Sequence, residues 1–373
     1  MISQNIIDEI IERFILDENH VLQLTPHTQG SFFVQNFSLG MGVSGLSYCL
    51  ELLLKSQNNK KIQNFNYQYA NNLVCYLQNA STTDNFKLNP FSHGFAAGAA
   101  GAIPFLTLYS LRTENDSILN NYINCLSEIY LETSLEHINN SFYGGTAGLI
   151  YCYLFPQRFN GMISSVTSEK TEEFLSHLAT KLITFSEALL ENKIDNPKER
   201  SIGFAWGLSG ISYALLLLSK EKKDSDISEL GKRVIALEDE LLKNKSNTAN
   251  PNSQNDDWII KNALCVGKIG QTLTRRLLDP KNNSKDISFI QSALAKDITK
   301  NFTYCCGFSG LAEFFPNEQI KNLDIQLDLK SYLESNDDLT FLSGLTGYLY
   351  FVLTREDDTL KLFSTQEKYS KQL

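Results

Sequence analysis

Three cysteines stand directly ahead of glycine pairs, and their spacing could do chemistry. In Leu264-Cys265-Val266-Gly267-Lys268-Ile269-Gly270 and Tyr304-Cys305-Cys306-Gly307-Phe308-Ser309-Gly310, Cys265 and Cys305 lie two residues before the first glycine and Cys306 one before. A thiolate is both a nucleophile and a soft metal ligand. Three of them at related offsets suit zinc, which prefers tetrahedral sulfur and nitrogen donors, and three protein ligands leave a fourth position for water or substrate. The other four, Cys49, Cys75, Cys125 and Cys152, lie in apolar helical runs and read as small buried hydrophobes.

Distant cysteines can share an ion only if the fold brings their segments together, and the sequence carries a device for that. A Gly-x-x-Gly unit followed by an apolar run recurs seven times, at Gly42/Gly45, Gly98/Gly101, Gly145/Gly148, Gly207/Gly210, Gly267/Gly270, Gly307/Gly310 and Gly344/Gly347. The second glycines are spaced 37 to 62 residues apart, room for one helix after the motif and one that returns. Runs such as Leu46–Leu54 and Ile211–Leu218 are apolar nearly all round, as buried helices are. The segments between, such as Thr171–Lys193 and Asp226–Lys243, are amphipathic. Seven buried helices alternating with seven amphipathic ones predict an all-α fold, an inner helical ring inside an outer one, with residues 1–373 as one domain. Glycine at the start of each inner helix lets backbones crowd together and leaves orphan N–H groups facing a common mouth. The positions just before the glycine pairs then converge there, and all three cysteines fall on adjacent repeats.

These motifs, in this order, resemble the lanthionine synthetase C-like family, the cyclases of lanthipeptide biosynthesis. The resemblance rests on the seven glycine pairs, the Asn262-Ala263-Leu264-Cys265-x-Gly segment and the Cys305-Cys306-Gly segment, and it spans nearly the whole chain. It implies a double helical (α/α) toroid with zinc at its mouth, held by Cys265, Cys305 and Cys306. It also implies a reaction: a cysteine thiolate of a dehydrated precursor peptide adds to dehydroalanine or dehydrobutyrine and closes a thioether ring. A lanthipeptide dehydratase and an exporter are the partners it suggests. The chain departs from the family at Trp206, where His is common, at Ser141, where Asp is common, and at Lys261, Leu264 and Val266, where Arg, Trp and Tyr surround the cysteine.

The enolate left by such an addition needs a proton. His93, in Phe91-Ser92-His93-Gly94, is the first candidate donor, with Tyr143 and Tyr304 behind it, and Lys261 could stabilise the enolate oxygen. A family member that has lost catalysis and holds a thiol-containing peptide or small thiol on its zinc is the competing expectation, motivated by Trp206. Glycoside hydrolysis, which helical toroids also host, needs paired carboxylates, and no position just before a glycine pair is acidic.

Composition narrows the rest. A net charge of -9, with 33 Lys and Arg against 42 Asp and Glu, and no basic stripe argue against a nucleic-acid partner. The first residues, with Asp8, Glu9, Glu12 and Asp17 interrupting Ile6, Ile7, Ile10, Ile11, Phe14 and Ile15, read as an amphipathic helix rather than a signal peptide or membrane span. Seven cysteines without a secretion signal read as reduced thiols in a cytoplasmic protein that is not integral to a membrane.

Overall fold

A computed structural model describes residues 38–40, 42–56, 58–82, 93–132, 135–159, 162–163, 168–194, 201–246, 263–265, 267–278, 304–305, 309–310, 313, 341–342, 345–354 and 361–363. Apolar runs after the glycine pairs form inner helices: α1 (Val43–Leu54), α3 (Ala102–Thr113), α5 (Thr146–Leu154), α7 (Leu208–Lys222), α9 (Lys268–Leu278) and α10 (Leu345–Thr354). Every residue of α1 and of α5 is buried, as their lack of a polar face requires. Between them run the outer helices α2 (Lys60–Ser81), α4 (Ser117–Glu132), α6 (Glu169–Leu190) and α8 (Ser225–Ser246). On α4 the buried set is Leu119, Tyr122, Ile123, Leu126, Ser127 and Tyr130, a single stripe at helical spacing that faces the inner ring.

Neighbours in sequence are neighbours in space. The inner helices pack α1 on α3, α3 on α5, α5 on α7 and α7 on α9, and α10 returns to pack on α1, which closes the ring. The outer helices pack in the same sense, α2 on α4, α4 on α6 and α6 on α8. The result is the expected α/α toroid. No described helix is long and apolar enough to cross a membrane.

The two rings begin their helices differently. Outer helices have polar caps: Asn59 accepts from Lys61 and Ile62, Ser168 from Thr171, and Asp224 from Asp226 and Ile227. Inner helices start at glycines with no side-chain cap, at Gly42, Gly145 and Gly207. The N–H groups expected to be orphaned there are instead taken by carbonyls seven residues back: Ala100 donates to His93, Thr146 to Asn139 and Leu208 to Ser201, at 2.8 to 3.3 Å. Of the cysteines expected to be buried hydrophobes, Cys49 and Cys152 are buried on inner helices. Cys75 is exposed and Cys125 half-buried, because both lie on outer helices with one wet face.

Candidate functional site at the mouth of the toroid

One residue from each repeat, five before its second glycine, joins a closed belt of backbone hydrogen bonds. Gly40 N–H donates to Ala96 O (2.9 Å), Ala96 to Tyr143 (2.9 Å), Tyr143 to Ala205 (2.8 Å) and Ala205 to Cys265 (2.8 Å). The next bond slips by one residue, Leu264 N–H to Cys305 O (2.8 Å). Cys305 then donates to Leu342 and Leu342 to Gly40, both at 2.9 Å. The belt links all seven repeats and holds the segments of Cys265 and Cys305 side by side, as their register predicts.

The residue preceding each belt position is large and buried: Leu39, Phe95, Phe142, Phe204, Leu264, Tyr304 and Phe341. Extended backbone alternates its side chains, so these form the floor while the belt residues edge the mouth, where Tyr143, Cys265, Cys305 and Leu342 stay half-buried. The second glycines sit beneath the floor. A Cβ built on Gly210 would collide with Phe204 O and come within 2.7 Å of Phe142 Cβ, and one on Gly148 within 2.8 Å of Phe95 N.

Tyr143 holds the same belt position as Cys265 and Cys305. Burial pushes its phenol up to about 12, and the sulfurs of Cys305 and Cys265 push it the same way. The Tyr143 ring packs against Trp206 in a tilted arrangement, with centroids 4.4 Å apart and planes at 33°. The loop carrying Trp206 is pinned from the outer ring by Glu238 of α8, which accepts from Gly203 N–H (2.8 Å), Ser209 N–H (3.3 Å) and the Ser209 hydroxyl (2.5 Å). Gly203 has φ 110°, a backbone region in which glycine is at ease. Ser141, where the family resemblance leads one to expect Asp, ties its own loop: its hydroxyl donates to Asn139 Oδ1 (2.6 Å) and accepts from Gly144 N–H (3.3 Å).

His93 lies elsewhere. Only 1% exposed, it is hydrogen-bonded through Nδ1 to the Tyr130 hydroxyl at 2.9 Å and meets that ring edge-on, between the inner repeat and outer helix α4. Burial lowers its pKa to about 4, and the Lys181 ammonium adds to the shift. Tyr304 is buried in the floor, its hydroxyl donating to Glu313 at 2.8 Å. Cys306 and Lys261 lie outside the described residues, and among those described no three His, Cys, Asp or Glu side chains cluster as a metal site. The donors that are described, two half-buried thiols on neighbouring segments, have the chemistry zinc prefers.

The family model for lanthionine synthetase C-like proteins matches residues 34–317. The chain belongs to the lanthionine synthetase C-like family. Among solved structures it is similar to one described as nisin cyclase, with a TM-score of 0.62 and 18% sequence identity, over 97% of this chain and 98% of that one. A comparison with curated proteins finds no match. At that identity the structural likeness speaks for the toroid, and the family assignment rests on the sequence match.

Sequence reasoning missed the Tyr143–Trp206 ring contact. The available signal was that Tyr143 holds the same register position as Cys265 and Cys305.

Proposed function

We propose that this family member is a zinc-dependent lanthipeptide cyclase, joining cysteine thiols of a precursor peptide to dehydroalanine or dehydrobutyrine residues in the same peptide. The observation that carries the reading is the Leu264–Cys305 belt bond, which sets two thiol-bearing segments next to each other at an open mouth. Cys265 and Cys305, joined by Cys306, would hold the ion, and zinc bound there would supply the Lewis acidity that makes a peptide thiol a thiolate at neutral pH.

In the addition the peptide sulfur forms a C–S bond to the β-carbon, the π electrons move onto the α-carbon and its carbonyl, and a proton returns to the α-carbon. The proton lost from the thiol balances the one gained. Tyr143 is our candidate donor, supported by the belt position it shares with Cys265 and Cys305 and by burial that keeps its hydroxyl protonated. Lys261 remains a candidate for the enolate oxygen. His93 has little support in that role, because it is enclosed and bonded to Tyr130. A dehydratase must act before this step, and an exporter after it fits a peptide made in the cytoplasm.

A second reading, a zinc-bearing protein that holds a thiol peptide without closing rings, is favoured by Trp206 and by the loop-tying role of Ser141. Incubation of the purified protein with a dehydrated precursor, counting free thiols, separates the two. The cyclase reading expects thiol loss well above the uncatalysed rate, abolished by chelation and by Cys305→Ala. Thiol counts that stay at the uncatalysed rate with zinc bound would leave the binding protein.

A further inference from the structure

The floor of the mouth carries one polar side chain, and it stands next to a thiol in the chain. Six of the seven floor residues are Leu or Phe; the seventh is Tyr304, the residue before Cys305. Its hydroxyl donates to Glu313 at 2.8 Å, and its ring packs on Phe341 and Tyr350, with centroids at 4.7 and 5.4 Å. Glu313 is itself buried and accepts a second bond from the Tyr350 hydroxyl on α10, while its Oε2 has no hydrogen-bond partner among the described residues. Burial raises its pKa, and Tyr350, Lys361, Tyr304 and Arg158 pull it back. A buried carboxylate with a dry oxygen adds little to stability, and an apolar side chain would fill its space at less cost. Its effect lies in what it holds.

It holds the segment at the irregular joint of the belt. Elsewhere each belt residue donates to the next, but Cys305 O accepts from Leu264, a floor residue, at 2.8 Å. A slip of one residue in extended backbone exchanges the face that each side chain takes. The pairing has already slipped by one at this joint, so the belt alone specifies the register of the Cys305 segment poorly. The bond from Tyr304 to Glu313 specifies it, because a tyrosine tied beneath the floor leaves the next residue at the edge of the mouth.

We propose that Glu313 is a positioning residue for the thiol site: by holding the Tyr304 hydroxyl it fixes the segment that carries Cys305, and so raises the affinity of the site for a thiophilic divalent cation. The inference rests on the zinc-dependent reading and deepens it. A ligand already held in register loses less conformational freedom when the ion arrives, so an anchor that never touches the ion still strengthens its binding.

The test is a titration of the metal-free full chain with Co2+, read by thiolate-to-cobalt absorption and followed by zinc competition. Tyr304→Phe and Glu313→Leu should each bind about tenfold more weakly than wild type. Glu313→Gln, which keeps an acceptor oxygen, should recover most of the loss. The Tyr304→Phe/Glu313→Leu double variant should be no weaker than either single one, as expected when one residue acts through the other. Tyr350→Phe takes the other hydroxyl from the same carboxylate, so it should lower the urea midpoint and leave cobalt affinity unchanged. A single variant that binds as the wild type does, losses that multiply in the double variant, or affinity that follows the urea midpoint across the whole set would overturn the proposal. Should Glu313→Leu fail to fold, Tyr304→Phe decides, since phenylalanine is already the floor residue of four other repeats. A wild type that binds no cobalt removes the metal and the proposal together, whereas wild-type binding with undiminished variants removes the proposal and leaves the metal. Thiol consumption with a dehydrated precursor, scored separately, decides the cyclase.

Discussion

His93 shows how a residue type that invites a catalytic role can be claimed by packing. Its imidazole meets Tyr130, which in turn stacks on Phe174 of α6 at 5.1 Å and 11°, and the half-buried Lys181 of that helix donates to Ile138 O close by. Burial and the Lys181 charge both disfavour the imidazolium, taking the pKa from 6.5 to about 4. The unfolded chain therefore takes up this proton first as pH falls. Stability from keeping His93 neutral is complete above pH 6.5 and drains away between 6.5 and about 4, by about 3 kcal/mol in all. We expect His93→Gln to be less stable than wild type at pH 7.5 but to show a flatter fall in urea midpoint between pH 6.5 and 4. Its thiol-consumption rate, measured where it is folded, should stay within about tenfold of wild type, short of the loss that removal of a general acid brings. The sequence could not show this placement, because a lone His in a loop has no periodicity to say which side it faces.

At the scale of the element, the glycine-led helix was the most legible part of the molecule, and the reason is steric. Each second glycine lies under the carbonyl of the residue six before it, with the floor residue of the preceding repeat also close, so no other residue fits without moving backbone. A demand of that kind leaves one letter in the sequence, and seven such letters fixed the register that aligned Cys265 with Cys305. The floor was not read, since Leu39, Phe95 and Phe142 look like any apolar residues until the belt shows that they alternate with it. Gly210→Ala tests the steric account. Its Cβ would collide with Phe204 O, and a cost of about 3 kcal/mol or more is expected, read as a lower urea midpoint. Gly231, inside outer helix α8, is the control: its Cβ would meet only side-chain atoms, of Leu216 at 3.2 Å and Leu215 at 3.5 Å, and the helix gains up to about 1 kcal/mol from alanine. Gly231→Ala should therefore move the midpoint little, and equal losses at the two sites would refute a backbone collision.

For the whole molecule, closure of the ring raises the question of what fills its axis, and the answer lies outside the repeat. Phe363 sits among Phe95, Phe142, Tyr151, Phe204 and Tyr213, with ring centroids 5.3 to 5.9 Å away, touching three consecutive repeats at once. Its backbone is tied in by side chains: Tyr151 and Arg158 donate to Leu362 O at 2.6 and 2.5 Å, Arg158 also to Lys361 O at 2.9 Å, and Leu362 N–H donates to the Tyr350 hydroxyl at 2.6 Å. Tyr350 and Tyr304 both donate to buried Glu313, so the plug connects through one carboxylate to the residue beside Cys305. None of this was legible, because 361–363 belongs to no glycine unit and its partners are set by the closed ring rather than by local pattern. Phe363→Ala should cost about 3–5 kcal/mol, the range for emptying an aromatic site that rigid neighbours cannot refill. Phe363→Leu should recover most of that loss. Arg158→Met, which strips Lys361 O of its donor and leaves Leu362 O with Tyr151 alone, should cost about 1–3 kcal/mol. Urea midpoints for the three variants check the ordering. If Phe363→Ala unfolds where the wild type does, the barrel holds its shape without a plug and the inner helices alone must keep the thiols in register.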